Sequence, residues 1–392
     1  METLTLREAA ERAGVTPATL RRWADEGVIP QYDGAWTAAA AAHARIVARL
    51  RARGHSLGEI KRAGQTGQLA FGYIEDLFPV AGGDYSLEAA AEETGLEPAL
   101  IERIYAAVGF NLHSLDHVSE DDLQFLRYIA AVLAAGFPLV AFLQLVRVYG
   151  HAAAQVADAE VRLFHLYVHE PLMRDGIPGM EMAEEMEGLA RELLPLSSPI
   201  MDHVHQRFLQ HFVEQDVIGH MEADLEGEAM DLGRLRVAIA FADLAGYTRL
   251  TEEQGEEEAV DAVERFVDAV QQTLPDEARV IKTIGDEVMI VGSDPAALTD
   301  WAVGFQTLIV ERPLPRIGIH YGETLYRDGD YYGREVNQAA RVAARAAGSE
   351  VLVTRPVVEA AGSHLEFEPI GEVRLKGFAQ PTELFLARQA ED

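Results

Sequence analysis

Two kinds of apolar spacing mark the chain. From Ser119 to about Ala223 the apolar positions read as helical throughout. In Arg236-Val-Ala-Ile-Ala-Phe-Ala-Asp-Leu-Ala-Gly-Tyr-Thr248, by contrast, Val237 to Ala242 is a near-continuous apolar run with no helical period. That pattern predicts a strand buried on both faces, ending at Asp243, followed by a turn at Gly246 and a helix from near Thr248. Two further runs, Val280–Ile284 and Val288–Val291, flank Gly285-Asp286 and predict a tight hairpin. If these strands pair, Asp243 and Asp286 meet at their ends, and two carboxylates that close repel unless a cation sits between them. Two unrelated turn aspartates are the alternative.

Nearer the amino terminus the spacing changes again. Ala9, Ala10, Ala13, Val15, Leu20 and Trp23 fall at helix–turn–helix intervals, with Gly14 in the turn and Thr16-Pro17 as cap and first-turn proline. The stretch Ser86–Pro98 echoes Thr5–Pro17. Gly95 answers Gly14, Pro98 answers Pro17, and Gly136-Phe-Pro-Leu139 answers Gly54-His-Ser-Leu57. Where the first copy has Leu20, Arg21, Arg22 and Trp23, the second has Ile101, Glu102, Arg103 and Ile104, so one arginine has become an acid. We read a duplicated module whose second copy serves packing or sensing, with the boundary at residues 78–85. Tyr128 to Val146 is close to membrane-spanning length, and Gln144 is its only strongly polar residue. Gly136-Phe-Pro138 interrupts it, which predicts two short buried helices and no transmembrane span.

Composition narrows the picture. A chain of 392 residues has room for two or three domains, and a net charge of −31 argues against coating nucleic acid or anionic lipid. With no cysteine, disulfides, thiolate metal sites and thiol nucleophiles are excluded. Met1-Glu-Thr-Leu-Thr lacks the pattern of a signal peptide, so a cytoplasmic location is expected. Nine of the thirteen histidines lie between residues 113 and 220: His113, His117, His151, His165, His169, His203, His205, His211 and His220. Their protonation near pH 6.5 would add charge to a helical interface. His203 and His205, two apart, do not share a helical face, so a metal cluster is not expected there.

In Asp330-Tyr-Tyr-Gly-Arg-Glu-Val-Asn-Gln-Ala-Ala-Arg341, Asn337 and Arg341 are four apart and share a helical face, an amide and a guanidinium suited to phosphate oxygens. These three motifs, in this order, resemble the catalytic domain of class III nucleotide cyclases over residues 234–388. The resemblance implies an α+β domain with a ferredoxin-like βαββαβ core and the conversion of ATP to 3′,5′-cyclic AMP and pyrophosphate. It implies two Mg²⁺ or Mn²⁺ per active site, held by Asp243 and Asp286 with the Leu244 carbonyl. Lys282 would donate to the adenine ring nitrogen and Asp330 accept from the amino group, an order that guanine reverses. Asn337 would orient the ribose, Arg341 stabilise the transition state, and Lys376, in Val373-Arg-Leu-Lys-Gly377, bind the triphosphate. In the family the metal aspartates come from one subunit and the other five residues from its partner, which implies a head-to-tail homodimer. Glu323, in His320-Tyr-Gly-Glu, stands where many cyclases carry a basic residue and leaves one phosphate contact open. Arg345, in helical phase with Arg341, is read as a surface charge.

Residues 1–77 are similar to the MerR-type winged helix, with Arg21 and Arg22 on the recognition helix. The wing, Gln31 to Trp36, lacks basic residues and the chain is acidic, which argues against DNA as the partner; a protein-interaction module is the other reading. Residues 84–222 are similar to the all-α regulatory region of some actinobacterial soluble cyclases, which implies autoinhibition relieved by acid pH and a fatty acid or lipid ligand. Residues 223–233 are read as the linker. The function expected is a regulated adenylate cyclase. The alternatives are a MerR-like transcriptional regulator with a nucleotide-sensing, catalytically weak cyclase domain, and a guanylate cyclase.

Overall fold

The structure is a computed structural model that describes residues 3–29, 36–65, 83, 85–174, 179–226, 234–361 and 365–390. The chain divides into two compact units, Met1–Phe208 and Leu209–Asp392.

The first unit opens with β1 (Thr3–Leu4), α1 (Leu6–Arg12) and α2 (Pro17–Asp25), then β2 (Trp36–Thr37), α3 (Ala38–Ala52) and α4 (Leu57–Gln65). Thr16 caps α2 with Pro17 in its first turn, as the sequence predicts, and Thr5 and Glu8 close a capping box on α1, so both starts are made by side chains that satisfy free amides. β1 and β2 pair antiparallel; residues 31–35 of the expected wing lie outside the described residues. Leu20 and Trp23 are buried in this core, whereas Arg21 and Arg22 are exposed. Next come α5 (Leu87–Thr94), α6 (Pro98–Val108), a 3-10 turn at Leu112–Asp116, α7 (Glu120–Ala134) and α8 (Leu139–Phe164). Ser86 caps α5, Gly95 ends it in the left-handed region, and Pro98 starts α6, so the punctuation of the first copy recurs. Ile101 and Ile104 are buried and Glu102 and Arg103 exposed, matching the burial of their counterparts. Of the expected boundary, residues 78–82 and 84 lie outside the described residues.

The segment from Tyr128 to Val146 departs from expectation. Gly136-Phe-Pro138 does separate two helices, but the second is long, and a π turn at His165–His169 carries it into α9 (Glu170–Arg174). Nor is the segment buried throughout. Ile129, Phe142, Leu143 and Val146 are buried, while Tyr128, Val132, Phe137 and Val140 are exposed. Several of these residues line an open apolar groove of about 650 Å³ with Phe110, Phe125 and Tyr149, which accounts for the apolar composition. By length and composition alone, Leu139–Arg174 could cross a membrane. The long α10 (Gly179–Glu226) then reaches into the stretch read as linker; residues 227–233, and the side chain of His220, lie outside the described residues.

The second unit is an α+β domain. It runs β3 (Arg234–Ala245), α11 (Tyr247–Gln254), α12 (Glu256–Thr273), β4 (Ala278–Ile284), β5 (Glu287–Gly292), α13 (Pro295–Phe305) and β6 (Leu314–Arg327), then β7 (Asp330–Tyr332), α14 (Arg334–Ala343), β8 (Val351–Thr354), α15 (Arg355–Ala360), β9 (Leu365–Val373) and β10 (Thr382–Gln389). The sheet order is β4-β5-β3-β6-β8-β10-β9, with β7 paired to β6; β6 and β8 are parallel. β3 is central and buried on both faces, as its unbroken apolar run requires. Ala238, Ala240, Ala242 and Leu244 face a core shared with Phe266, Leu298, Trp301 and Phe305. Val237, Ile239 and Phe241 face the other way, against Tyr331, Ala339 and Ala343. Asp243 follows the second set, so it emerges on the face that carries α14.

Candidate active site

Register assembles one half of the site. On β3, Asp243 stands opposite Glu287 of β5 on one side and Arg316 of β6 on the other, so the three form a row across the sheet. Arg316 donates from Nε to Asp243 Oδ2 at 2.9 Å and pairs with the same oxygen through Nη2. Asp286 occupies the two-residue turn between β4 and β5, where Gly285 takes a φ of 64°. The two aspartates predicted to meet do so. Burial, a hydrogen bond between the carboxyls and the charge of Asp243 together raise Asp286 to about 6, against the pull of Arg316. Glu287 is raised as well, by burial and by Asp243, while Arg316 and Arg341 hold it down. Leu244, the backbone ligand implied by the sequence, stands opposite Pro315, which has no N–H, and the β3–β5 register ends one residue earlier. The sheet therefore offers its carbonyl no ladder donor.

The other predicted residues lie on the same side of the sheet or at its rim. Lys282 Nζ is ion-paired with Asp330 Oδ2, and both side chains are partly exposed. Asn337 and Arg341 are both exposed on α14, one turn apart as expected. Arg345 is exposed but not in phase with them, because α14 ends at Ala343. Lys376 is exposed in the turn after β9. The position of α14 is set by close packing on β6. A Cβ on Gly318 would overlap the backbone of Ala343 and come within 2.7 Å of the Val342 carbonyl carbon. At the other end His320, buried, bonds Thr354 Oγ1 at 2.7 Å through Nδ1 and Glu335 through Nε2. Burial lowers the His320 pKa and Glu335 partly restores it.

Sequence reasoning passed over Arg316, although it supplies the cation beside Asp243. Only the β3–β6 register reveals it, since Arg316 and Asp243 are far apart in the chain. Two carboxylates and an uncommitted carbonyl make an all-oxygen donor set, which suits a hard divalent ion such as Mg²⁺ or Mn²⁺.

Residues 234–388 match the family described as adenylate and guanylate cyclase catalytic domain, and residues 24–213 match the adenylate cyclase regulatory domain. The pH-sensitive adenylate cyclase MT1302 of Mycobacterium tuberculosis is 29% identical over 322 residues, 78% of either chain. An adenylate cyclase of Streptomyces coelicolor is 30% identical over 292 residues, 73% of this chain and 74% of its own. The crystal structure of the adenylyl cyclase CyaB from P. aeruginosa covers 41% of this chain and 98% of its own, at 20% identity and a TM-score of 0.38.

Proposed function

The chain belongs to the adenylate cyclases that join a regulatory domain to a class III catalytic domain, and from that premise we propose how its residues form cyclic AMP and how the reaction is controlled. The observation that carries the mechanism is the pairing of Asp243 with Asp286, a buried carboxyl pair whose raised pKa marks a clash of like charges that a cation would relieve. We assign Asp243, Asp286 and the Leu244 carbonyl as metal ligands. A pair of Mg²⁺ or Mn²⁺ ions bound there would neutralise triphosphate charge and acidify the ribose 3′-hydroxyl. Such a transfer needs in-line positioning and electrostatic stabilisation more than covalent help. Lys282 and Asp330 now satisfy one another, and adenine fits between them as acceptor and donor in the order they require. Arg316, which a cation held by Asp243 would leave unpaired from that carboxylate, is assigned as the phosphate partner that Glu323 does not provide.

Asn337, Arg341 and Lys376 are assigned to the ribose, the transition state and the triphosphate. All three are exposed in the single chain, which supports a head-to-tail homodimer with a site at each end of the interface. We further propose that the groove beside α7 and α8 takes the acyl chain of a fatty acid or lipid, and that protonation of the helical region relieves inhibition. The domain limits adopted are 1–77, 84–222 and 234–388, with 223–233 as linker. The first of these is assigned as a MerR-like interaction module; exposed Arg21 and Arg22 are the feature that would favour DNA, and the charge of −31 opposes it. A cytoplasmic location fits the absence of cysteine.

The test is direct. Purified protein with Mn²⁺ and ATP should release cyclic AMP, faster than it releases cyclic GMP from GTP. No product at any pH between about 5 and 8, the range over which histidines titrate, would defeat the assignment. Deleting residues 1–225 should change the rate and flatten its pH profile; an unchanged profile would remove the regulatory role.

A further inference from the structure

The base-reading pair stands on a short and weakly held support. β7 is three residues long and pairs with β6 alone, so few backbone bonds fix Asp330. Its orientation comes instead from a chain of contacts. One Asp330 oxygen takes Lys282, and the other accepts from the Tyr331 amide at 2.8 Å. The Tyr331 ring is 3% exposed, packed with Phe241, Met289 and Ala339 and set edge-on to Tyr326. Its hydroxyl accepts a hydrogen bond from Arg279 Nη2 at 2.8 Å. The Arg279 guanidinium also lies over the Phe212 ring, 5.2 Å from the centroid. The chain Lys282–Asp330–Tyr331–Arg279 thus begins and ends on β4.

A bulge in β4 makes that closure possible. Residues three apart on a regular strand point to opposite faces. Here the register slips between Val280 and Lys282, so Arg279 pairs with Val291 and Lys282 with Met289. Val291 and Met289 both face the layer that contains Tyr331. The extra residue, Ile281, therefore turns Arg279 and Lys282 to one side, a familiar use of a bulge beside a site.

We infer that Arg279 and Tyr331 are a positioning pair that fixes Asp330 against Lys282 and thereby sets the preference for a 6-aminopurine. The inference rests on the reading of Lys282 and Asp330 as adenine contacts. Asp330 accepts from the 6-amino group. A 6-oxopurine sets an oxygen against that carboxylate and an N–H against the Lys282 ammonium. The penalty holds only while neither side chain can swing away, because a site rejects a wrong donor pattern by leaving fixed polar groups unpaired. The phenol and guanidinium touch no substrate in this scheme and act through Asp330.

The experiment compares kcat/KM for ATP with that for inosine triphosphate, both with Mn²⁺, in the full-length protein. Tyr331→Phe keeps the buried ring and removes the hydroxyl, and Arg279→Met removes the donor. Each should lower the ATP-to-inosine ratio about tenfold, the worth of one charge-assisted hydrogen bond, as the rate on ATP falls and the penalty on inosine triphosphate is relieved. Arg279→Lys should recover part of the ratio. Asp330→Ala serves as the reference and should abolish the discrimination. A ratio that collapses in Asp330→Ala but stays at the wild-type value in Tyr331→Phe, or rates that fall equally on both nucleotides in Tyr331→Phe, overturns the positioning pair alone. A wild-type ratio in Asp330→Ala overturns the base reading and the positioning pair with it.

Discussion

Gly318→Ala is the substitution that most directly couples fold to chemistry. The added methyl would overlap the Ala343 backbone and lie 2.7 Å from the Val342 carbonyl carbon, so it meets main chain rather than a side chain that could rotate away. Its closest neighbours are the Ala343 amide nitrogen and Cα, and carbon atoms settle at ~3.5–4.0 Å, so α14 must move off β6 by roughly 1.5 Å. Two effects oppose each other in stability. A less flexible unfolded chain favours the variant by ~0.4–1 kcal/mol, while overpacking a filled interior costs ~1–3 kcal/mol. The second wins, and the protein should stay folded with a modest loss. Activity should suffer more, because Asn337 and Arg341 ride on the displaced helix; a misplacement of ~1 Å is enough to cost ~10²-fold in rate. The measurements are kcat for cyclic AMP formation, circular dichroism and the thermal midpoint. Gly292→Ala is the control, since its new methyl meets only the Ala278 side chain at 3.3 Å and other atoms at 3.5 Å or beyond. A Gly318→Ala enzyme with wild-type kcat would refute the claim that β6 sets the position of α14. Equal losses in both variants would refute it as well.

Three further outcomes are expected. Asp243→Ala and Arg341→Ala should each be inactive alone, yet a mixture should recover about a quarter of the wild-type rate, because half the dimers pair unlike chains and each of those has one intact site; a mixture as dead as its parts would argue that each site lies within one chain. His43, buried in the first unit, is held down to about 4 by burial, against a hydrogen bond with Val28 that raises it. The unfolded chain therefore binds a proton at pH values where the folded one does not, and stability is complete above about 6.5 and falls by ~1.4 kcal/mol per pH unit toward 4. Urea unfolding at pH 7 and 5 should show that slope diminished in His43→Leu, and an unaltered slope would discount the histidine. Arg316→Met should raise KM for ATP with little change in fold, since an Asp243 that holds a cation, as proposed, would not need the guanidinium; an unchanged KM would deny Arg316 a phosphate role.

Much of the site was legible because its signals are local. The run Val237–Ala242 specifies a strand buried on both faces, and Gly285-Asp286 specifies a hairpin turn, so the meeting of Asp243 with Asp286 follows from two short stretches. The i, i+4 spacing of Asn337 and Arg341 likewise needs only one helix. What escaped depends on registers between distant strands. Arg316 beside Asp243, the bulge at Ile281 and the contact of Gly318 with α14 have no local signature, because each is fixed by how a strand slides against a neighbour chosen elsewhere in the chain. Tyr128–Val146 failed differently. Its break at Gly136-Phe-Pro138 was readable, but apolar composition does not distinguish a side chain buried in a core from one lining an open groove.

These registers also bear on the proposed homodimer, in which one chain alone would fall short of a working site. Asp243, Glu287, Arg316, Arg279 and Lys282 share the sheet face on which α14 packs, while α12, α13 and α15 cover the other. Charge stabilisation of a triphosphate is strong only where water is excluded, and α14 covers just part of its face. Ile284, next to Asp286, is 53% exposed, and Tyr332, beside Asp330, is 47% exposed. Asn337, Arg341 and Lys376 project from the same unit into solvent. A second copy placed head to tail would bring those three groups to the aspartates of its neighbour and close the face over both. An active site built this way can be switched by small rotations between subunits, without altering any residue that touches the nucleotide.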